Sequence, residues 1–128
     1  RDGVINKEVG YLHKSKDFEF IEGVFEACQY FQTLGYKLIV ITNQSGIARG
    51  YYQEEDFHTL TKWMLTQFNN HEVNILDVFF CPHGPESTCE CRKPQPGMLL
   101  EARDKFDIDM KNSWMIGDKE ADVGAANA

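Results

Sequence analysis

The run Lys37-Leu-Ile-Val-Ile-Thr42 limits the fold more than any other stretch of this chain. It is short, continuously apolar and rich in β-branched residues, with Gly35 just ahead of it. A strand with one wet face alternates apolar and polar residues; a continuous run reads as a strand buried on both faces. Such a strand needs a covering layer on each side of its sheet. Ile75 to Phe80 repeats the pattern, and Ser113-Trp-Met-Ile116 offers a shorter version that ends at Gly117-Asp118.

Helical patterns separate these runs. From Ile21, the residues Val24, Ala27, Cys28, Phe31 and Leu34 recur at three- and four-residue spacing, and Gly35 is the expected stop. A second helix opens on Glu54, Glu55 and Asp56, where the dipole favours acids, and carries a core stripe of Phe57, Leu60, Thr61, Met64, Leu65 and Phe68. Pro96 suits the first turn of a third helix bearing Met98, Leu99, Ala102, Arg103 and Phe106. A fourth begins after Asp118. This alternation predicts an α/β fold, a Rossmann-like parallel sheet with helices on both faces. Ligands of such sheets gather beyond the carboxyl ends of the strands.

The expected organisation is one domain over residues 1–128, with no large cap domain and with a metal loop at 81–91. Because the chain starts at Arg1 without a methionine and stops at Ala128 inside a predicted helix, the domain reads as incomplete at both ends. A net charge of −7 with no basic stripe argues against nucleic acid as a partner. No apolar run reaches the ~18 residues of a membrane span, and no apolar signal segment follows a basic start. The expectation is a cytoplasmic monomer.

Four cysteines suggest either two disulfides or a metal site, and their placement favours the metal. Cys81-Pro-His83 and Cys89-Glu-Cys91 crowd three thiols and an imidazole into one Pro- and Gly-rich loop, while Cys28 sits on the apolar face of the first helix as a small hydrophobe. Three thiolates and one imidazole match tetrahedral zinc and leave no position for water, so the expected ion is structural.

Asp2-Gly3, Thr42, Lys93 and Gly117-Asp118 with Asp122 are each weak signals alone: a turn, a strand end, a surface lysine, a helix start. Thr42, Lys93 and Asp118 nevertheless fall at or just after predicted strand ends, on one edge of the sheet. Phosphoryl transfer requires such a set: acids for magnesium, and a hydroxyl and a cation for phosphate oxygens.

With those residues in view, the chain resembles the haloacid dehalogenase-like (HAD) phosphatases. Arg1-Asp2-Gly3 looks like the tail of their Asp-x-Asp-Gly motif, Thr42 matches the second motif, Lys93 the third, and Gly117-Asp118 with Asp122 the acidic fourth. The stretches Gly10-Tyr11, Phe18 to Ile21, Thr42 to Gly50 and Cys91 to Met98 are similar to sugar-bisphosphate phosphatases of that family. The Cys-Pro-His…Cys-x-Cys loop is shared with these and with histidinol-phosphate phosphatases.

The resemblance implies a magnesium-dependent phosphatase acting through an aspartyl-phosphate, with a small sugar bisphosphate as substrate and a place in supplying lipopolysaccharide or other surface glycan. The nucleophilic aspartate is expected immediately before Arg1. Asp2 would be the acid/base, Thr42 and Lys93 would bind the transferring group, and Asp118 would hold magnesium with the backbone of Asp2. Glu8, Val9, Gly10, Tyr11, Thr42, Asn43, Gln44, Ser45, Arg92, Lys93 and Lys119 match substrate-contact positions. Arg92 is assigned to a second phosphate or sugar hydroxyls, and Arg49 to a loop-pinning salt bridge or a ligand contact. Asp122 is expected to brace Lys93 or the acidic site, and His13, His58 and His71 to lie on the surface without a role. Histidinol-phosphate hydrolysis and a zinc-stabilised binding module without catalysis stand as alternatives.

Overall fold

The computed structural model describes residues 1–127. Helix α1 (Val24–Thr33), strand β1 (Leu38–Asn43), helix α2 (Glu54–Asn70), strand β2 (Ile75–Cys81), helix α3 (Gly97–Phe106) and helix α4 (Glu120–Asn127) follow in order. Single 3-10 turns lie at Ser15–Asp17 and Met110–Asn112. β1 and β2 pair in parallel, with Ile41 opposite Phe79 and Asn43 opposite Cys81. Parallel strands cannot be joined by a tight turn, and α2 is the crossover between them.

The apolar run of β1 is buried from both sides, as its composition requires. Leu38 and Val40 join Leu60, Met64 and Phe68 of α2, whereas Ile39 and Ile41 join Phe79, Cys81 and the α3 residues Met98 and Ala102. Successive side chains on a strand point to opposite faces, so α2 and α3 cover opposite sides of the sheet. Gln53 and Asp56 cap α2 reciprocally, and its stripe buries Phe57, Leu60, Met64 and Phe68, with Thr61 and Leu65 half-buried.

Three local expectations are corrected. Leu34 is the C-cap of α1 and is 55% exposed, because the turn through Gly35 (φ 90) swings it off the packing face. Pro96 caps α3 instead of entering its first turn, and Arg103 is exposed and bonded to Asp104. Ser113 to Ile116 is not a strand: Trp114 is 82% exposed and its indole N–H donates to Tyr36, while Met115 alone packs against the α3-side cluster. A strand exists only by hydrogen bonding to a neighbour. Here a cleft of about 850 Å³, lined by Ile39, Ile41, Met115 and Ile116 among others, lies between β1 and this segment.

Candidate active site

The polar end of that cleft lies at the carboxyl end of β1. Thr42 and Asn43 are its last two residues, and the chain then turns through Gln44 and Ser45. Asp2, Glu8 to Tyr11, Arg92, Lys93, Asp118 and Lys119 line the same cleft. Apart from Arg49, the side chains singled out for phosphate chemistry or ligand contact are therefore brought to one place from four separate segments.

A chain of contacts closes around it. Asp2 Oδ1 accepts from the Arg1 guanidinium at 3.0 and 3.1 Å and from the amide of Asn6 at 3.1 Å. Its Oδ2 faces the Gln44 amide nitrogen at 3.5 Å, and that nitrogen donates to Thr42 Oγ1 at 2.8 Å. Asn43 Oδ1 accepts from the backbone N–H of Lys93 at 3.0 Å. The Lys93 ammonium pairs with Asp122, both side chains nearly buried. Asp122 Oδ2 in turn accepts from the backbone N–H groups of Asp118 and Lys119 at 3.1 and 3.2 Å.

Two glycines permit the close approaches. A Cβ on Gly3 (φ 83) would stand 1.9 Å from Asp118 Oδ2, and one on Gly117 would stand 2.3 Å from Asp122 Oδ2. The Asp118 carboxylate thus rests against the Asp2-Gly3 backbone, with no donor to it among the described residues. Hard oxygen ligands of this kind suit magnesium. Burial alone would raise the Asp122 carboxyl, but the Lys93 ammonium and the Lys119 N–H more than reverse this, and it titrates below the ordinary range.

At the rim, Lys119 bonds Glu8 at 3.0 Å, so two expected ligand contacts meet each other. Tyr11, in the left-handed region (φ 53), packs on Tyr51 with ring centroids 4.5 Å apart, and the Arg49 guanidinium stacks 5.8 Å above Tyr11 in place of the expected salt bridge. Arg92 donates to the carbonyl of His83 at 3.3 Å.

The cysteine loop folds as a cage. The ligand atoms of Cys81, His83, Cys89 and Cys91 all lie within 4.8 Å of one another. Cys81 Sγ is 3.4 Å from His83 Nδ1 and 3.7 Å from Cys89 Sγ, and His83 Nδ1 is 3.3 Å from Cys91 Sγ. Zinc–sulfur bonds of about 2.3 Å in a tetrahedron imply sulfur separations of about 3.8 Å, so the spacing fits. Burial, then the sulfurs of Cys81 and Cys89, push the Cys91 thiol up to about 12. Three thiolates repel one another in so small a space, and a bound dication removes that repulsion.

Sequence reasoning missed Arg1, Asn6 and Tyr52. Arg1 is 6% exposed and lies between the rings of Phe18 and Phe57, Asn6 is fully buried, and the hydroxyl of buried Tyr52 bonds Gln44 Oε1. None carries a spacing that announces it. His13, expected on the surface, is half-buried and stacked on Tyr52 at 5.1 Å.

The HAD-hydrolase-like family profile matches residues 90–128. Over 100% of its length the chain is 52% identical to D-glycero-beta-D-manno-heptose-1,7-bisphosphate 7-phosphatase of Vibrio cholerae, covering 73% of that protein. It is 53% identical to the D-glycero-alpha-D-manno-heptose-1,7-bisphosphate 7-phosphatase of Campylobacter jejuni, with 98% of this chain and 72% of that protein covered. The crystal structure of the D,D-heptose 1,7-bisphosphate phosphatase of B. bronchiseptica, complexed with magnesium and phosphate, superposes with a TM-score of 0.91 at 30% identity, covering 99% of this chain and 72% of that one. The chain therefore belongs to the D-glycero-D-manno-heptose-1,7-bisphosphate 7-phosphatase family of HAD-like hydrolases.

Proposed function

We propose that this protein removes the 7-phosphate of D-glycero-D-manno-heptose 1,7-bisphosphate, in the supply of heptose for lipopolysaccharide or another surface glycan. One observation carries the reading: Asp2, Thr42, Lys93 and Asp118 line a single cleft at the end of a parallel strand, in a chain half identical to phosphatases named for that substrate. Relatives named for the alpha and the beta anomer match almost equally, so the proposal covers the sugar and not its anomer.

The nucleophile in this proposal is an aspartate immediately before Arg1, attacking phosphorus to give an aspartyl-phosphate. Asp2 donates the proton that the departing sugar oxygen needs, then takes one from the water that hydrolyses the intermediate. Arg1 and Asn6 hold Oδ1 of Asp2, which leaves Oδ2 toward the cleft for that transfer. Thr42 donates to a phosphoryl oxygen, and Lys93, aimed by Asp122, offsets charge on the transferring group. Asp118 and the backbone carbonyl of Asp2 would hold magnesium, which supplies neutralisation of phosphate charge. Arg92 takes the second phosphate or sugar hydroxyls with its planar fork. Glu8 to Tyr11, Asn43 to Ser45 and Lys119 border the sugar.

Zinc in the Cys81, His83, Cys89 and Cys91 cage supplies rigidity and no chemistry. No helix among the described residues is long and apolar enough to cross a membrane. We take the protein to work in the cytoplasm as a monomer.

Phosphate release from both heptose bisphosphate anomers and from histidinol phosphate tests the proposal. The expected product retains its 1-phosphate, detected by phosphorus NMR, and Asp2→Asn abolishes turnover. Efficient histidinol-phosphate hydrolysis with negligible heptose turnover would overturn it.

A further inference from the structure

Gln44 lines the cleft, yet none of its polar groups is left for a ligand. Its backbone N–H donates to Cys81 at 2.7 Å, and its backbone carbonyl accepts from Ile47 at 3.2 Å. The side-chain nitrogen donates to Thr42 Oγ1 at 2.8 Å and faces Asp2 Oδ2 at 3.5 Å, while Oε1 accepts from the Tyr52 hydroxyl. Thr42, Gln44 and Tyr52 are 2%, 3% and 6% exposed, so water does not substitute for these partners.

An amide side chain has a donor edge and an acceptor edge, and a flip exchanges them. A carboxylate only accepts, so Asp2 in its ionised form calls for the nitrogen on its side; a phenol that donates calls for the oxygen on the other. Burial, chiefly, pushes the Tyr52 phenol up to about 12, so it keeps the proton it donates. Tyr52 itself is held tightly. His13 stacks on its face at 5.1 Å, and a Cβ on Gly46 would stand 2.2 Å from its ring.

The consequence falls on Thr42. With an amide N–H on one of its lone pairs, the hydroxyl must send its own proton elsewhere. Its acceptor among the described residues is the Asn43 carbonyl at 3.4 Å, a long contact that an anionic oxygen in the cleft displaces. A flipped Gln44 would take that proton on Oε1 and leave only lone pairs to face a phosphate.

We propose that Tyr52 is a positioning residue which, through Gln44, fixes the Thr42 hydroxyl as a donor to the transferring phosphoryl group. The proposal rests on the phosphatase reading above and adds to it a residue that makes no contact with substrate. It also gives Gln44 an orienting part inside the protein.

Tyr52→Phe removes only the hydroxyl and keeps the ring against His13. The magnesium- and zinc-loaded wild type, Tyr52→Phe, Thr42→Val and the double variant are compared in kcat and KM for heptose bisphosphate. Calorimetric affinity for orthovanadate, a mimic of the transferring phosphoryl group, is measured on the same four proteins. Tyr52→Phe is expected to lower kcat about tenfold, with KM within about threefold, and to weaken orthovanadate about tenfold. Adding Tyr52→Phe to Thr42→Val is expected to change either quantity by less than about twofold, because the two act through one bond.

Losses that multiply in the double variant, or a Tyr52→Phe protein equal to wild type, overturn the proposal. If Tyr52→Phe melts early, Gln44→Met cuts the same link one residue on and must show the same non-additivity. A wild type that binds orthovanadate but leaves heptose bisphosphate intact refutes the substrate, while the orthovanadate cycle still decides the role of Tyr52. A wild type that binds neither refutes both.

Discussion

Asp2 is held from two sides before any ligand arrives, each time by a residue with no chemistry of its own. Arg1 and Asn6 grip one oxygen, and Gly3 leaves the space into which Asp118 brings its carboxylate. Gly3→Ala tests how tightly that space is matched. A methyl group there would overlap Asp118 Oδ2, and the positive φ adds strain for any residue with a side chain. Magnesium affinity, read from the concentration that gives half-maximal phosphatase activity, is expected to weaken about 10- to 100-fold. The melting temperature should fall less than it would for a core cavity, since both groups sit at the cleft rim. An unchanged magnesium requirement would show that Asp118 can shift without harm.

At the scale of elements, the loop between β2 and α3 links metal binding to the proposed chemistry. Cys81 closes β2, Cys89 and Cys91 close the cage, and Arg92 and Lys93 follow at once. Pairing of Lys93 with Asp122 and of its backbone with Asn43 requires that the loop arrive in one conformation. Zinc removal by a chelator, with magnesium kept in excess, is expected to cut activity and to speed amide hydrogen exchange across residues 82–95. Readdition of zinc should restore both, and full activity in the zinc-free protein would break the link.

A second tie joins the same two elements lower down, where Lys105 of α3 pairs with Asp77 of β2 at 2.6 Å. Burial works to raise the Asp77 carboxyl, but the hydrogen bonds it accepts from the Lys105 ammonium and from the Val78 N–H outweigh this, so the group titrates below the ordinary carboxylate range. A depressed carboxyl stabilises the fold above its unfolded value and loses that contribution as pH falls through the folded one. The pair is partly exposed, so Asp77→Asn should cost no more than about 1 kcal/mol near neutral pH. In urea titrations the difference should vanish in acid, and a difference that persists there would assign it to packing.

Across the whole molecule, Phe68 is the residue on which separate segments meet. It is fully buried, and its ring meets Phe20 of the N-terminal segment and Phe25 of α1 edge-on. Phe68→Ala is expected to cost about 3–5 kcal/mol, a large share of a small domain's stability, visible as a lower urea midpoint. A loss under about 1 kcal/mol would mean that the surrounding rings collapse into the space. Much of this architecture was legible beforehand. The continuous apolar run of β1 demanded two covering layers, the α2 stripe named its own buried face, and the Cys/His spacing announced the cage. These are local or periodic features, and a chain carries them wherever it goes. The strand expected at Ser113 to Ile116 has no pairing partner among the described residues, because pairing is a property of two segments and three apolar residues do not form a strand by themselves. For the same reason nothing in the order of residues pointed to Tyr52, Arg1 or Asn6. The order of residues alone was enough to name the buried faces of β1 and α2, the atoms that suit zinc and the motifs that meet at a strand end. Which donor faces which acceptor came from the folded arrangement instead, because a hydrogen bond depends on direction and on the burial that keeps water from taking its place.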